Sequence, residues 1–79
     1  MARGRIQNNI RRLRFDRAEM TQQELAEKVG VTRQTVIAIE GDKYSPSLEV
    51  AFRIARVFGV PLEEVFQYVA SDEKGDSAA

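Results

Sequence analysis

The chain has 79 residues with neither cysteine nor histidine, and its 12 basic and 12 acidic side chains cancel to a net charge of zero. Those absences exclude disulfide staples, the usual Cys/His zinc sites, thiol nucleophiles and imidazole bases, so a core this small must rest on well-packed helices or on a partner. No apolar run approaches the roughly 20 residues of a membrane span and no apolar signal block opens the chain, which points to one soluble, cytoplasmic domain without membrane contact.

Five helical segments and no strand are expected. The first spans about Arg5 to Arg17, with Ile6, Ile10 and Leu13 at i, i+4 and i+7 between arginines. The second opens at Thr21, where Thr21 and Glu24 have the spacing of a capping box, and its buried face is Leu25, Ala26 and Val29. Gly30 suits the left-handed turn that ends a helix. Thr32 caps a third helix, Arg33 to Glu40, in which Val36 and Ile39 face the core. After a turn over Gly41 to Pro46, Ser47 caps a fourth helix with the stripe Leu48, Ala51, Ala55 and Phe58, closed by Gly59. Pro61 starts a fifth, with Glu63 and Glu64 where the helix dipole favours anions. The domain is expected over residues 1–69, with 70–79 a disordered acidic tail.

Charge is polarised along this order. Residues 1–17 carry six arginines against Asp16 alone, and residues 57–79 carry five acids against Lys74 alone. The basic end is either a surface for phosphates or merely a solvated helix face, and charge alone leaves both open.

The stretch Thr21 to Val36 decides more. Two short helices joined through Gly30, Val31 and Thr32 have the sequence form of a helix-turn-helix, which lays its second helix in the major groove of DNA. Gly30 stops the first helix, Val31 plugs the angle between the two, and Thr32 restarts the hydrogen-bond ladder. A plain αα-corner can use the same Gly-Val-Thr, but it leaves the third helix unexplained. That helix offers the solvent Arg33, Gln34, Thr35 and a small Ala38. Arginine can bond guanine O6 and N7 in parallel, and glutamine adenine N6 and N7.

The segment from Leu13 to Phe66 resembles the phage-repressor/Cro-like (XRE-type) helix-turn-helix family of small transcription regulators. Leu13-Arg14, Met20 to Ala26, Val29 to Val36, Ile39-Glu40, Lys43 to Leu48 and Phe58-Gly59-Val60 carry the likeness. The resemblance implies an all-α, five-helix, lambda-repressor-like DNA-binding domain. It implies that Gln22 holds a phosphate, that Arg33, Gln34 and Ala38 read base edges, and that Thr32 and Thr35 sit beside the groove wall. The loop Gly41 to Tyr44 should meet the DNA backbone again through Lys43 and Tyr44, and Arg14 and Glu40 should pair. Two departures stand out: Gly41-Asp42 replaces the family's Asn-Gly, placing a negative charge beside the phosphate path, and the turn from Asp16 to Met20 is one residue longer than the family's usual form.

Further apolar positions (Val50, Ile54, Val57, Leu62, Val65, Phe66, Tyr68, Val69) exceed what one small core should bury. They suggest a homodimer that sets two reading helices about 34–36 Å apart on a palindromic site, against the alternative of a monomer with a fully used core. No phosphate loop or catalytic constellation is present, so no enzyme, metal or cofactor is expected. The reading is a sequence-specific DNA-binding repressor. The rival is an antitoxin-like module that neutralises a toxin-like protein partner.

Overall fold

A computed structural model describes residues 4–70 of the chain. Its elements are β1 (Gly4–Asn8), α1 (Ile10–Asp16), α2 (Gln22–Val29), α3 (Arg33–Glu40), α4 (Leu48–Phe58), α5 (Leu62–Val65) and β2 (Phe66–Ala70). The expected tail, from residue 71 on, lies outside the described residues.

The helix starts follow their caps. At α2, Glu24 N donates to Thr21 Oγ1 at 3.0 Å while Thr21 N donates to Glu24 Oε1 at 2.8 Å, a complete capping box. Thr32 and Ser47 accept from Thr35 N and Val50 N to open α3 and α4. Gly30 takes φ +91° and its N–H closes α2 on Ala26 O, so the chain reverses with no Cβ in the way. Val31 then packs inward on the core.

That core joins Ile10 and Leu13 of α1, Leu25, Ala26 and Val29 of α2, and Val36 and Ile39 of α3. Ala51, Ile54, Ala55 and Phe58 of α4 and Val65 of α5 complete it. Ile54 and Val65 are therefore core residues, whereas Leu48, expected in the stripe of α4, stands 68% exposed. Arg17 closes the far side of α4, donating to Phe58 O with its guanidinium over the Phe58 ring.

The all-α expectation is corrected at both ends. Residues 4–8 and 66–70 pair as an antiparallel two-stranded sheet, in the register Gly4↔Ala70, Ile6↔Tyr68 and Asn8↔Phe66. Helix α1 accordingly begins at Ile10 rather than Arg5, and α5 stops after four residues, with Pro61 as its cap. The physical reason is pairing. The segment Phe66-Gln67-Tyr68-Val69 is rich in aromatic and β-branched side chains, which favour strand once a partner satisfies the backbone. Gly4 to Asn8 supplies that partner and stays out of a helix it would form poorly.

Candidate nucleic-acid interface

On one side of the molecule α1, α2 and α3 enclose an open groove of about 620 Å³, lined by Arg11, Arg14, Thr21, Gln22, Gln23, Arg33 and Glu40. Glu40 is the one acid among these linings, and its charge is already answered. Arg14 Nε donates to Glu40 Oε2 at 2.6 Å and Arg14 Nη2 to Oε1 at 3.1 Å, a fork that ties α1 to the end of α3. Arg14 Nη1 also donates to Met20 O at 2.9 Å, fixing the long turn, where Ala18 and Glu19 adopt φ near +58° and +57°. Gln22 leans the same way, its Nε2 donating to Glu40 Oε1 at 3.3 Å. With that acid matched by Arg14, Arg11 and Arg33 leave the groove positive.

Helix α3 has a buried and a wet side. Val36 and Ile39 are fully inside, while Arg33 and Gln34 are exposed and, among the described residues, donate no side-chain hydrogen bond. Ala38 is half-buried between them and the loop. Thr32 and Thr35 share a hydroxyl–hydroxyl hydrogen bond at 3.0 Å at the helix start, so both are partly committed within the cap. Beyond the helix, Lys43 N donates to Ala38 O at 2.9 Å, which holds the loop against α3 and leaves the Lys43 and Tyr44 side chains exposed. Asp42 takes φ +61° in that loop, in the left-handed region that favours glycine.

The expected positions thus divide in two. Gln22 and Arg33 share the groove, and Gln34 and Ala38 lie along the outward side of α3 with Arg33. Lys43 and Tyr44 stand apart at the helix's far end. Two residues were not foreseen. Ile37 is 36% exposed, three residues from Gln34 and four from Arg33, and so stands on the outward side. The run Val36 to Ile39 hid it, although a helical wheel that buries Val36 and Ile39 must turn Ile37 out. Arg11 lines the groove from α1, and its helical offset from Arg14 carried that information.

A second, apolar surface lies elsewhere. Ile6, Pro46, Leu48, Leu62 and Phe66 line a cavity of about 230 Å³, with Phe52 half-exposed on the same helix as Leu48. No helix among the described residues is long and apolar enough to cross a membrane.

A model of the helix-turn-helix family matches residues 10–65 of the chain. The chain is 54% identical over 59 residues to an uncharacterised HTH-type transcriptional regulator of Methanocaldococcus jannaschii, covering 72% of this chain and 89% of that protein. It is 46% identical over 61 residues to the uncharacterised HTH-type regulator YgzD of Bacillus subtilis, covering 77% and 91%. Over 58 residues it is 38% identical to the transcriptional repressor RstR of cryptic phage CTXphi from Vibrio cholerae, covering 73% of this chain and 51% of that protein. A solved Bacteroides fragilis protein, proposed to bind DNA, superposes with TM-score 0.69 at 22% identity, covering 78% of this chain and 98% of the other, a likeness of fold.

Proposed function

The chain belongs to the helix-turn-helix family, and on that premise we propose that α3 reads base edges in the major groove of double-stranded DNA and that the protein is a sequence-specific transcriptional regulator acting as a repressor. One observation carries the reading: α3 presents Arg33, Gln34, Ile37 and Ala38 outward beside a groove whose acid is matched. A helix with free bidentate donors, an apolar patch and a small residue matches what a major groove displays. Arg33 and Gln34 can each address one purine, Ile37 suits a thymine methyl, and Ala38 allows close approach. Arg11, Gln22 and the start of α2 take the adjoining phosphate, where the helix terminus favours an anion. Thr32 and Thr35 border the groove wall, and Lys43 and Tyr44 meet the backbone beyond α3.

The reading also includes a homodimer. Leu48 and Phe52 are exposed on α4 beside the apolar cavity, and a two-fold pairing of that face would cover both on each copy. This revises the expected contact set, because Ile54 and Val65 are spent in the core.

The test uses duplexes selected by the protein from a random pool, compared with unselected duplexes. Arg33→Ala and Gln34→Ala should each cost about 1–3 kcal/mol on the selected duplex and little on the unselected one. Equal losses on both would sink the assignment of these side chains to base reading.

A further inference from the structure

We infer that Asn8, a strand residue remote in sequence from the helix-turn-helix, is a positioning residue that sets where the C-terminal end of α3 lies against DNA. The inference rests on the reading of α3 just given. Asn8 belongs to β1, 31 residues before Ile39, yet its side chain reaches three separate elements. Its Nδ2 donates to Ile39 O in the last turn of α3 at 2.9 Å and to Asp42 Oδ1 in the following loop at 3.1 Å. Its Oδ1 accepts from Ile10 N, the first residue of α1, at 3.1 Å. The chemistry allows one orientation of the amide: only NH₂ can face a carbonyl and a carboxylate together, and only the oxygen can face an N–H.

A helix of eight residues is about 12 Å long, so small shifts at one end change where its side chains point. The start of α3 is fixed by Thr32 and the turn, and Arg14 grips Glu40 from the groove side. Asn8 holds the final carbonyl and the loop from elsewhere, on the strand. The backbone behind it is anchored as well. Asn8 pairs with Phe66 in the sheet, Asn9 N donates to Val65 O at 2.8 Å, and Asn9 Nδ2 donates to Glu64 O at 3.0 Å. The closed sheet therefore places one amide at the end of the reading helix. A one-residue slip of β1 would present Gln7 or Asn9 there instead. The same contact explains Asp42, whose carboxylate accepts the Asn8 amide while its backbone occupies the left-handed region.

Asn8→Asp is the sharp variant. It keeps shape and the acceptor for Ile10 N, but cannot donate to Ile39 O and sets a second carboxylate against Asp42. The readout is the ratio of affinities for the selected and unselected duplexes. Asn8→Asp should lower that ratio about tenfold, because it loses the bond to the neutral Ile39 carbonyl and turns the bond to the Asp42 carboxylate into a repulsion. Asp42→Gly, suited to the left-handed backbone, should lower it about threefold, and it decides the matter should Asn8→Asp not fold. Ser47→Ala weakens the cap of α4 and serves as the control for a loss of stability alone, with the ratio unchanged. An unchanged ratio in the Asn8 and Asp42 variants, or an equal fall in Ser47→Ala, overturns the inference. Wild-type protein that shows no preference for its selected duplexes would overturn the DNA reading itself.

Discussion

The face made by α1, α2 and α3 and the face made by α4 with the terminal sheet differ in what they leave unsatisfied. The first leaves charge: Arg11 and Arg33 line a groove in which Arg14 and Gln22 already answer Glu40. The second leaves apolar area: Leu48 and Phe52, with Ile6 and Phe66 lining the adjoining cavity. Free guanidinium groups are well hydrated and cost nothing to expose, so the first face gains only when a polyanion releases its counterions there. Exposed apolar surface is unfavourable at about 25 cal/mol per Å², so the second gains from any dry cover that fits. The two faces should therefore answer differently to salt and to substitution.

The strongest way to break the first face is from behind. Arg14 and Glu40 keep side-chain exposures of 16% and 10%, so removing one strands the other in a poorly hydrated place. Glu40→Ala should lose about 3–5 kcal/mol of folding stability, seen as a lower urea midpoint at unchanged slope. Arg14→Met combined with Glu40→Leu should recover much of that loss, because an apolar pair carries no desolvation penalty. A Glu40→Ala midpoint within error of the wild type would show that the fork adds nothing to the fold.

The second face is tested by placing a charge on it. If the proposed two-fold interface forms there, Leu48→Glu should remove apolar cover from both copies, an effect of about 3 kcal/mol or roughly a hundredfold on dimer association. Sedimentation over a concentration series reads that shift directly, with helicity unchanged because Leu48 is outside the core. Wild-type protein that stays monomeric at high concentration removes this face from the account and leaves the α3 face untouched.

The two faces were also unequally legible in the sequence. Around α2 and α3 every signal is local: Thr21 with Glu24, Gly30, and Thr32 before Val36 and Ile39 act within a few residues of one another. Caps and turns were placed from those alone, and the Arg14–Glu40 pair followed from the family likeness. The terminal sheet is the opposite case. Ile6 and Ile10 stand four apart, a spacing that serves a helix and an alternating strand equally, and the partner that decides between them begins at Phe66. Leu62, Val65, Phe66 and Val69 likewise fit a helical stripe until β1 takes up the last of them. Asn8 was invisible for the same reason, since its acceptors at Ile39 and Asp42 are brought to it only by that distant pairing. Leu48 failed differently: it sits at the first position of α4, where the periodic stripe overruns the end of the core.

The smallest effect separates the two faces most cleanly. Lys43 is exposed in the loop after α3, held near the helix by its own N–H on Ala38 O and adjoined by Asp42, which Asn8 engages. If its ammonium meets a phosphate, Lys43→Ala should weaken binding to selected and unselected duplexes by the same small factor. The slope of log affinity against log salt should then become shallower by about 0.9, the value for one phosphate contact. Dimer association through the apolar face involves no condensed counterions, so the dissociation constant of the same variant should be unchanged in the same salt series. A slope identical to the wild type would place Lys43 off the DNA path and confine backbone contact to the groove of Arg11, Gln22 and Arg33. A salt-dependent change in the dimer would show instead that the loop contributes to both faces, and that charge and apolar area are not divided between them as the structure suggests.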